Sequence, residues 1–92
     1  MIIQAEISLY PLRTGEIGVA IESFNGALKD SGLAVHAQAM STKLSGDVSD
    51  VFAALGEAFK HVANDHQVVL VLKASNACPP DDEAKGKNPD AG

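Results

Sequence analysis

The opening of the chain alternates. Ile3, Ala5, Ile7 and Leu9 are interleaved with Gln4, Glu6, Ser8 and Tyr10. A period of two predicts a strand with one apolar face and one mixed face. Pro11 has no N–H to give a ladder, so pairing is expected to stop there, with a loop over 12–16. From Ile17 the period changes. Ile17, Ala20, Ile21, Phe24, Ala27 and Leu28 fall on one helical stripe, with Glu22, Asn25 and Lys29 off it. Gly32 follows the last periodic residue and suits the left-handed position at a helix C-terminus. Gly18 and Gly26 each weaken the helix by roughly 1 kcal/mol relative to Ala. Close packing against a neighbour would account for them.

Leu33–Thr42 alternates again, with Val35, Ala37 and Ala39 on one face and His36, Gln38 and Met40 on the other. A short strand from Thr42 to Ser45 follows and ends at Gly46-Asp47, so the two strands read as a hairpin or bent pair. Asp47 has the character of an N-cap, with Asp50 as a variant of the capping box. Val48, Val51, Phe52, Leu55, Phe59 and Val62 form the second helical stripe, closed by Asn64-Asp65. Residues 67–74 (QVVLVLKA) are the most apolar and β-branched stretch and read as a central strand. Residues 79–92 (PPDDEAKGKNPDAG) hold no large apolar side chain and are expected to form a disordered C-terminal tail, dispensable for folding.

Strand, helix, strand, strand, helix, strand is the βαββαβ, ferredoxin-like order. The expectation is an α+β domain over 1–78, a four-stranded antiparallel sheet with two helices on one face. The other face would stay open, carrying Gln4, Glu6, Ser8 and Tyr10, then His36, Gln38 and Met40, then Val69, Val71 and Lys73. A mixed surface of that size usually meets a partner, and self-association is the economical choice.

Composition narrows the picture. Ninety-two residues make one domain, 46% hydrophobic but only 4% aromatic, so the core must be aliphatic. A domain this small often gains stability by oligomerising. The net charge of -5 disfavours nucleic acid or an anionic membrane as partner. A single cysteine excludes a disulfide framework and a four-cysteine zinc site. No apolar run approaches the ~18 residues of a membrane span, and Gln4 and Glu6 interrupt any signal-peptide pattern. Direct membrane insertion is therefore not expected, and a cytoplasmic location is.

Catalytic and metal chemistry find little support. His61 and His66 are five apart, not the three or four that share a helical face, and His36 stands alone, so no metal is expected. Cys78 lies beside Asp81 and Asp82, which oppose thiolate formation. The glycines match no phosphate-binding fingerprint. Arg13, in the loop after the first strand, is the one feature an acylphosphatase-like hydrolase would need, but the loop lacks the donors of an anion cradle. An RNA-recognition domain shares the topology but stacks bases on strand aromatics, and here the strands hold only Tyr10. Small polar groups remain at the strand ends: Ser8, Tyr10, Ser41, Thr42, Ser75 and Asn76. Each could simply satisfy loop backbone. Together, hydroxyls and amides beside one aromatic suit a neutral or cationic heterocycle.

Residues 5–12 (AEISLYPL), 41–46 (STKLSG), 48–54 (VSDVFAA), 61–64 (HVAN) and 75–79 (SNACP) resemble the YkoF-like thiamine/hydroxymethylpyrimidine-binding family. The likeness spans about residues 4–80. It implies a ferredoxin-like domain that binds thiamine or its hydroxymethylpyrimidine precursor without chemical change. The resemblance therefore implies no enzymatic activity, no cofactor, and a role in uptake or salvage. Some members hold two tandem copies, so a single copy implies a homodimer or homotetramer. On matching positions the resemblance implies Ser8, Tyr10, Ser41, Thr42 and Ser75 as ligand contacts, with Asn76 a weaker one. Ser45 stands where related single-domain proteins often carry a glutamate, and Glu6 is the candidate substitute for meeting the pyrimidine amine or thiazolium charge. Thiamine pyrophosphate is expected to bind more weakly, for lack of a basic phosphate site. The alternatives are an acylphosphatase-like hydrolase and a structural or regulatory subunit that docks a protein through its open sheet.

Overall fold

A computed structural model describes residues 1–77. The elements run β1 (Ile2–Leu12), α1 (Ile17–Lys29), β2 (Ala34–Ala37), β3 (Thr42–Asp47), α2 (Val48–Ala63) and β4 (Gln67–Ser75). The strands form one antiparallel sheet in the order β2-β3-β1-β4. This is the ferredoxin-like α+β architecture. The tail expected over 79–92 lies outside the described residues.

One face of the sheet is the floor of the core. Ile3, Ala5 and Ile7 of β1 and Leu44 of β3 are buried there against Ala20, Phe24 and Leu28 of α1 and Val51, Leu55, Ala58 and Val62 of α2. Burying each of the larger side chains among them, such as Ile7, Phe24 and Leu28, stabilises the fold by ~1.5–3 kcal/mol. The alternation in β1 is what aims Ile3, Ala5 and Ile7 to one side. Asp47 caps α2: its carboxylate accepts the Ser49 N–H at 3.1 Å and meets the N-terminal ammonium at 3.2 Å. These contacts, the ammonium first, hold the Asp47 carboxyl below its ordinary pKa.

Two glycines are required by backbone and space. Gly32 has φ 83° just past α1, as its position implies. Gly46 has φ 156°, and a Cβ there would sit 2.6 Å from Leu33 Cδ2. Gly18 and Gly26, by contrast, face open space, so close packing within the chain does not account for them.

Several boundaries and faces differ from the sequence reading. Pairing does not stop at Pro11, which lies opposite Val68, with Leu12 opposite Gln67. β3 has already left the other edge of β1 after Ile7↔Thr42, so a missing N–H toward that edge leaves no ladder bond unmade. β2 is short because the Gln38 N–H donates to the Ser41 carbonyl at 2.8 Å and turns the chain, which takes Gln38 and Met40 out of the sheet. β3 runs to Asp47 rather than Ser45. On α2, Phe52 and Phe59 are 48% and 36% exposed, while Ala54 and Ala58 are buried. α2 packs against α1 as well as the sheet, and small side chains on that side let it approach. Finally, β4 is an edge strand, not a central one.

Candidate ligand pocket on the open sheet face

The registers place the open-face side chains in rows across the sheet, because directly opposed residues point to the same side. One row is Ala34, Ser45, Gln4 and Ser75, in strand order from β2 to β4. The next is His36, Lys43, Glu6 and Lys73. Beyond them only β1 and β4 continue, pairing Ser8 with Val71 and Tyr10 with Val69. The open face therefore has a charged end and an apolar end.

The charged end holds a cavity of about 290 Å³, lined by Gln4, Glu6, Lys43, Lys73 and Ser75 together with Ala5 and Ala74. Glu6 organises it. The Ser41 hydroxyl donates to Glu6 Oε2 at 2.8 Å, and Lys73 Nζ stands 3.7 Å from Oε1. The Ser41 hydrogen bond, then the lysine charges, hold the Glu6 carboxyl below its ordinary pKa, so it is an anion at neutral pH. Ser75 Oγ accepts the Ala77 N–H at 2.9 Å, which turns the chain away and leaves the hydroxyl proton to donate elsewhere.

The residues singled out from sequence divide among four places. Glu6 and Ser75 line the cavity, and Ser41 fixes Glu6 from outside its wall. Ser8 lies one row away and donates to the Met40 carbonyl at 3.4 Å, and Tyr10, 53% exposed, belongs to the apolar end. Asn76 is exposed beyond the ladder. Thr42 is on the opposite side of the sheet, buried, donating to Asn25 Oδ1 at 2.9 Å. Thr42 and Asn25 border a second cavity of only about 70 Å³, beside Phe24 and Ser41. At ~30 Å³ per water molecule, that space suits a couple of waters rather than a ring. Sequence reading missed Lys43 as a site residue and missed that Gln4 and Lys73 share the cavity with Glu6. Their pairing follows from register, which no local pattern encodes.

Other surfaces offer less. Two broad depressions over the helices, about 590 and 520 Å³, are rimmed by Asp30, Asp50 and Glu57 and by Glu22, Glu57 and His61. Apart from Leu33 and His61, their walls are carboxylates and small residues open to solvent. Arg13, at φ 54°, donates from Nη1 to Gln67 Oε1 at 2.8 Å, which ties its loop to the start of β4. Among the described residues no group of three or more His, Cys, Asp or Glu is placed to hold a metal ion. No helix among them is long and apolar enough to cross a membrane.

The sequence profile of the YKOF-related family matches residues 2–81. The chain belongs to the YKOF-related family. No curated protein sequence matches it. Among solved structures, a hypothetical protein of Methanocaldococcus jannascii is 28% identical, with TM-score 0.80 over 91% of this chain and 93% of that one. A Streptococcus pneumoniae protein is 19% identical, with TM-score 0.83 over 95% of this chain and 100% of that one. A Thermotoga maritima protein provisionally assigned to thiamine biosynthesis or salvage is 12% identical, with TM-score 0.82 over 92% of this chain and 97% of that one. The two more distant structures bear on the fold alone.

Proposed function

We propose that this YKOF-related chain is a non-catalytic binder of thiamine or its hydroxymethylpyrimidine precursor, acting in cytoplasmic uptake or salvage. The observation that carries the reading is Glu6: an ionised carboxylate, held by Ser41, in the wall of a cavity that also offers the Gln4 amide and the Ser75 hydroxyl. An aminopyrimidine presents an amine that donates and ring nitrogens that accept. Glu6 accepts from the amine, and Ser75 and Gln4 meet the ring. A volume of about 290 Å³ lies at the lower end of small-molecule sites, ~300–1,000 Å³, and suits one ring better than two linked rings.

The same chain pairs with itself, as a homodimer or homotetramer, through the apolar end of the open face. Tyr10, Val69 and Val71 are exposed there. β4, nine residues long, has one edge without a partner strand in the monomer, which natural proteins commonly cover.

Calorimetric titration with hydroxymethylpyrimidine and with thiamine tests the binding. Saturable micromolar binding of either supports the reading. Silence at millimolar concentrations of both sinks it and favours a subunit that docks another protein on its sheet.

A further inference from the structure

We infer that the cavity on the open face takes its aminopyrimidine as a phosphate monoester, with Lys43 and Lys73 meeting the phosphate. The inference deepens the function proposed above and rests on it. Sequence reading expects no basic phosphate site, because no local run of Lys or Arg exists. The register makes one from residues thirty positions apart.

Lys43 and Lys73 lie directly opposite Glu6 on its two neighbouring strands. Adjacent strands are ~4.8 Å apart, so the two lysine Cα atoms are roughly 10 Å apart. Both lysines line the cavity, and their four-carbon stems are long enough for the ammonium groups to reach a ligand held in it. Two ammoniums against one carboxylate leave this wall with a net positive charge, in a chain whose formal net charge is -5. The carboxylate is drawn toward Ser41, which is not part of the wall. The adjacent row holds the Gln4 amide and the Ser75 hydroxyl, which stay with the pyrimidine ring.

An anion thus meets charged donors from β3 and β4, as a phosphate group requires. The permanent cation of a thiazolium would meet the same two lysines and be repelled. The charges therefore discriminate within the ligand class: a phosphorylated pyrimidine above the free alcohol, and both above thiamine. The group of reactions that supplies such a ligand is phosphoryl transfer to a primary alcohol. This chain binds the product of that transfer and changes no bond in it.

The test compares the affinities of hydroxymethylpyrimidine, its monophosphate, thiamine and inorganic phosphate by calorimetry at low and at high salt. The monophosphate is expected to bind about tenfold or more tightly than the alcohol at low salt, the advantage shrinking as salt screens the lysines. Lys43→Met with Lys73→Met keeps the stems and should abolish most of that ratio. Lys73 is exposed, so folding is expected to survive, and an unchanged melting curve checks it. The wild-type salt dependence needs no variant. Alcohol bound as tightly as the monophosphate overturns the inference and leaves the proposed function standing. Binding of neither pyrimidine overturns both. Inorganic phosphate bound as tightly as the monophosphate, with the alcohol silent, also overturns both, because the cavity would then be a simple anion site.

Discussion

The two ends of the open sheet face are built on the same strands and differ in what they can hold. At one end four strands run side by side, and their registers stack Glu6 between Lys43 and Lys73 beside a row with Gln4 and Ser75. At the other end β2 and β3 have stopped, and β1 and β4 alone present Tyr10, Val69 and Val71. Polar chemistry collects where neighbours are available to hold it in place. Glu6 has Ser41 and Lys73 as partners. Apart from Ser8, the two-stranded extension presents Tyr10, Val69 and Val71, whose large apolar surfaces are satisfied by covering rather than by pairing. Under the proposed function, the first end recognises the small ligand and the second end self-associates.

The sharpest way to break the comparison is at the apolar end. Val69→Glu with Val71→Glu puts two charges on the surface proposed to self-associate and should weaken that association by at least about thirtyfold. Sedimentation should show a monomer whose pyrimidine binding survives. If ligand binding disappears together with the oligomer, the two ends are one site. Next comes the charged end. Glu6→Ala removes the ionised acceptor and should cost about tenfold or more in affinity for hydroxymethylpyrimidine, with sedimentation unchanged.

Thr42→Val tests the reverse side of the sheet. It leaves Asn25 Oδ1 without its hydroxyl donor and should destabilise the fold by about 1–2 kcal/mol in denaturant melts. Ligand affinity should stay within about twofold. A large loss of affinity without loss of stability would move the site to the smaller cavity.

Acid provides a gentler probe. Glu6 and Asp47 have pKa values lowered in the fold. The stability they contribute is present above the unfolded carboxylate pKa and is lost as pH falls through the folded values. Melting temperature should therefore drop on acidification through and below the ordinary carboxylate range. Ser41→Ala removes the largest cause of the Glu6 shift and should flatten that dependence. An unchanged slope would show that Ser41 does not hold Glu6. The smallest effect expected touches neither end: Gly26→Ala, with open space for its Cβ, should stabilise α1 by about 0.5–1 kcal/mol.

Much of the fold is legible in the sequence because two periods are. The alternation from Ile3 to Tyr10 and the 3.6-residue stripe through Ala20, Phe24 and Leu28 state which side of each element is buried, and the structure buries those sides. Reading failed where hydrophobicity served two purposes. β4 is apolar on both faces, with Val68, Leu70 and Leu72 packed on the core and Val69 and Val71 exposed. A strand apolar on both faces looks central, and it is an edge. In α2 the large side chains Phe52 and Phe59 drew the stripe to the wrong side, whereas close approach requires Ala54 and Ala58 inside.

The candidate site was legible only in its parts. Glu6, Ser41 and Ser75 are polar residues at strand positions, which a sequence shows. That Ser41 reaches Glu6 across 35 positions, and that Lys43 and Lys73 flank it, depends on register. Register is set by the whole sheet and not by any segment of it.

The account stands or falls on Glu6 as the ligand's acceptor. One calorimetric comparison addresses it: hydroxymethylpyrimidine titrated into the wild-type chain and into Glu6→Ala, both with matching melting curves. The account predicts saturable binding to the first and binding weaker by about tenfold or more in the second. Equal affinity in both would contradict it and remove the ligand from the open face.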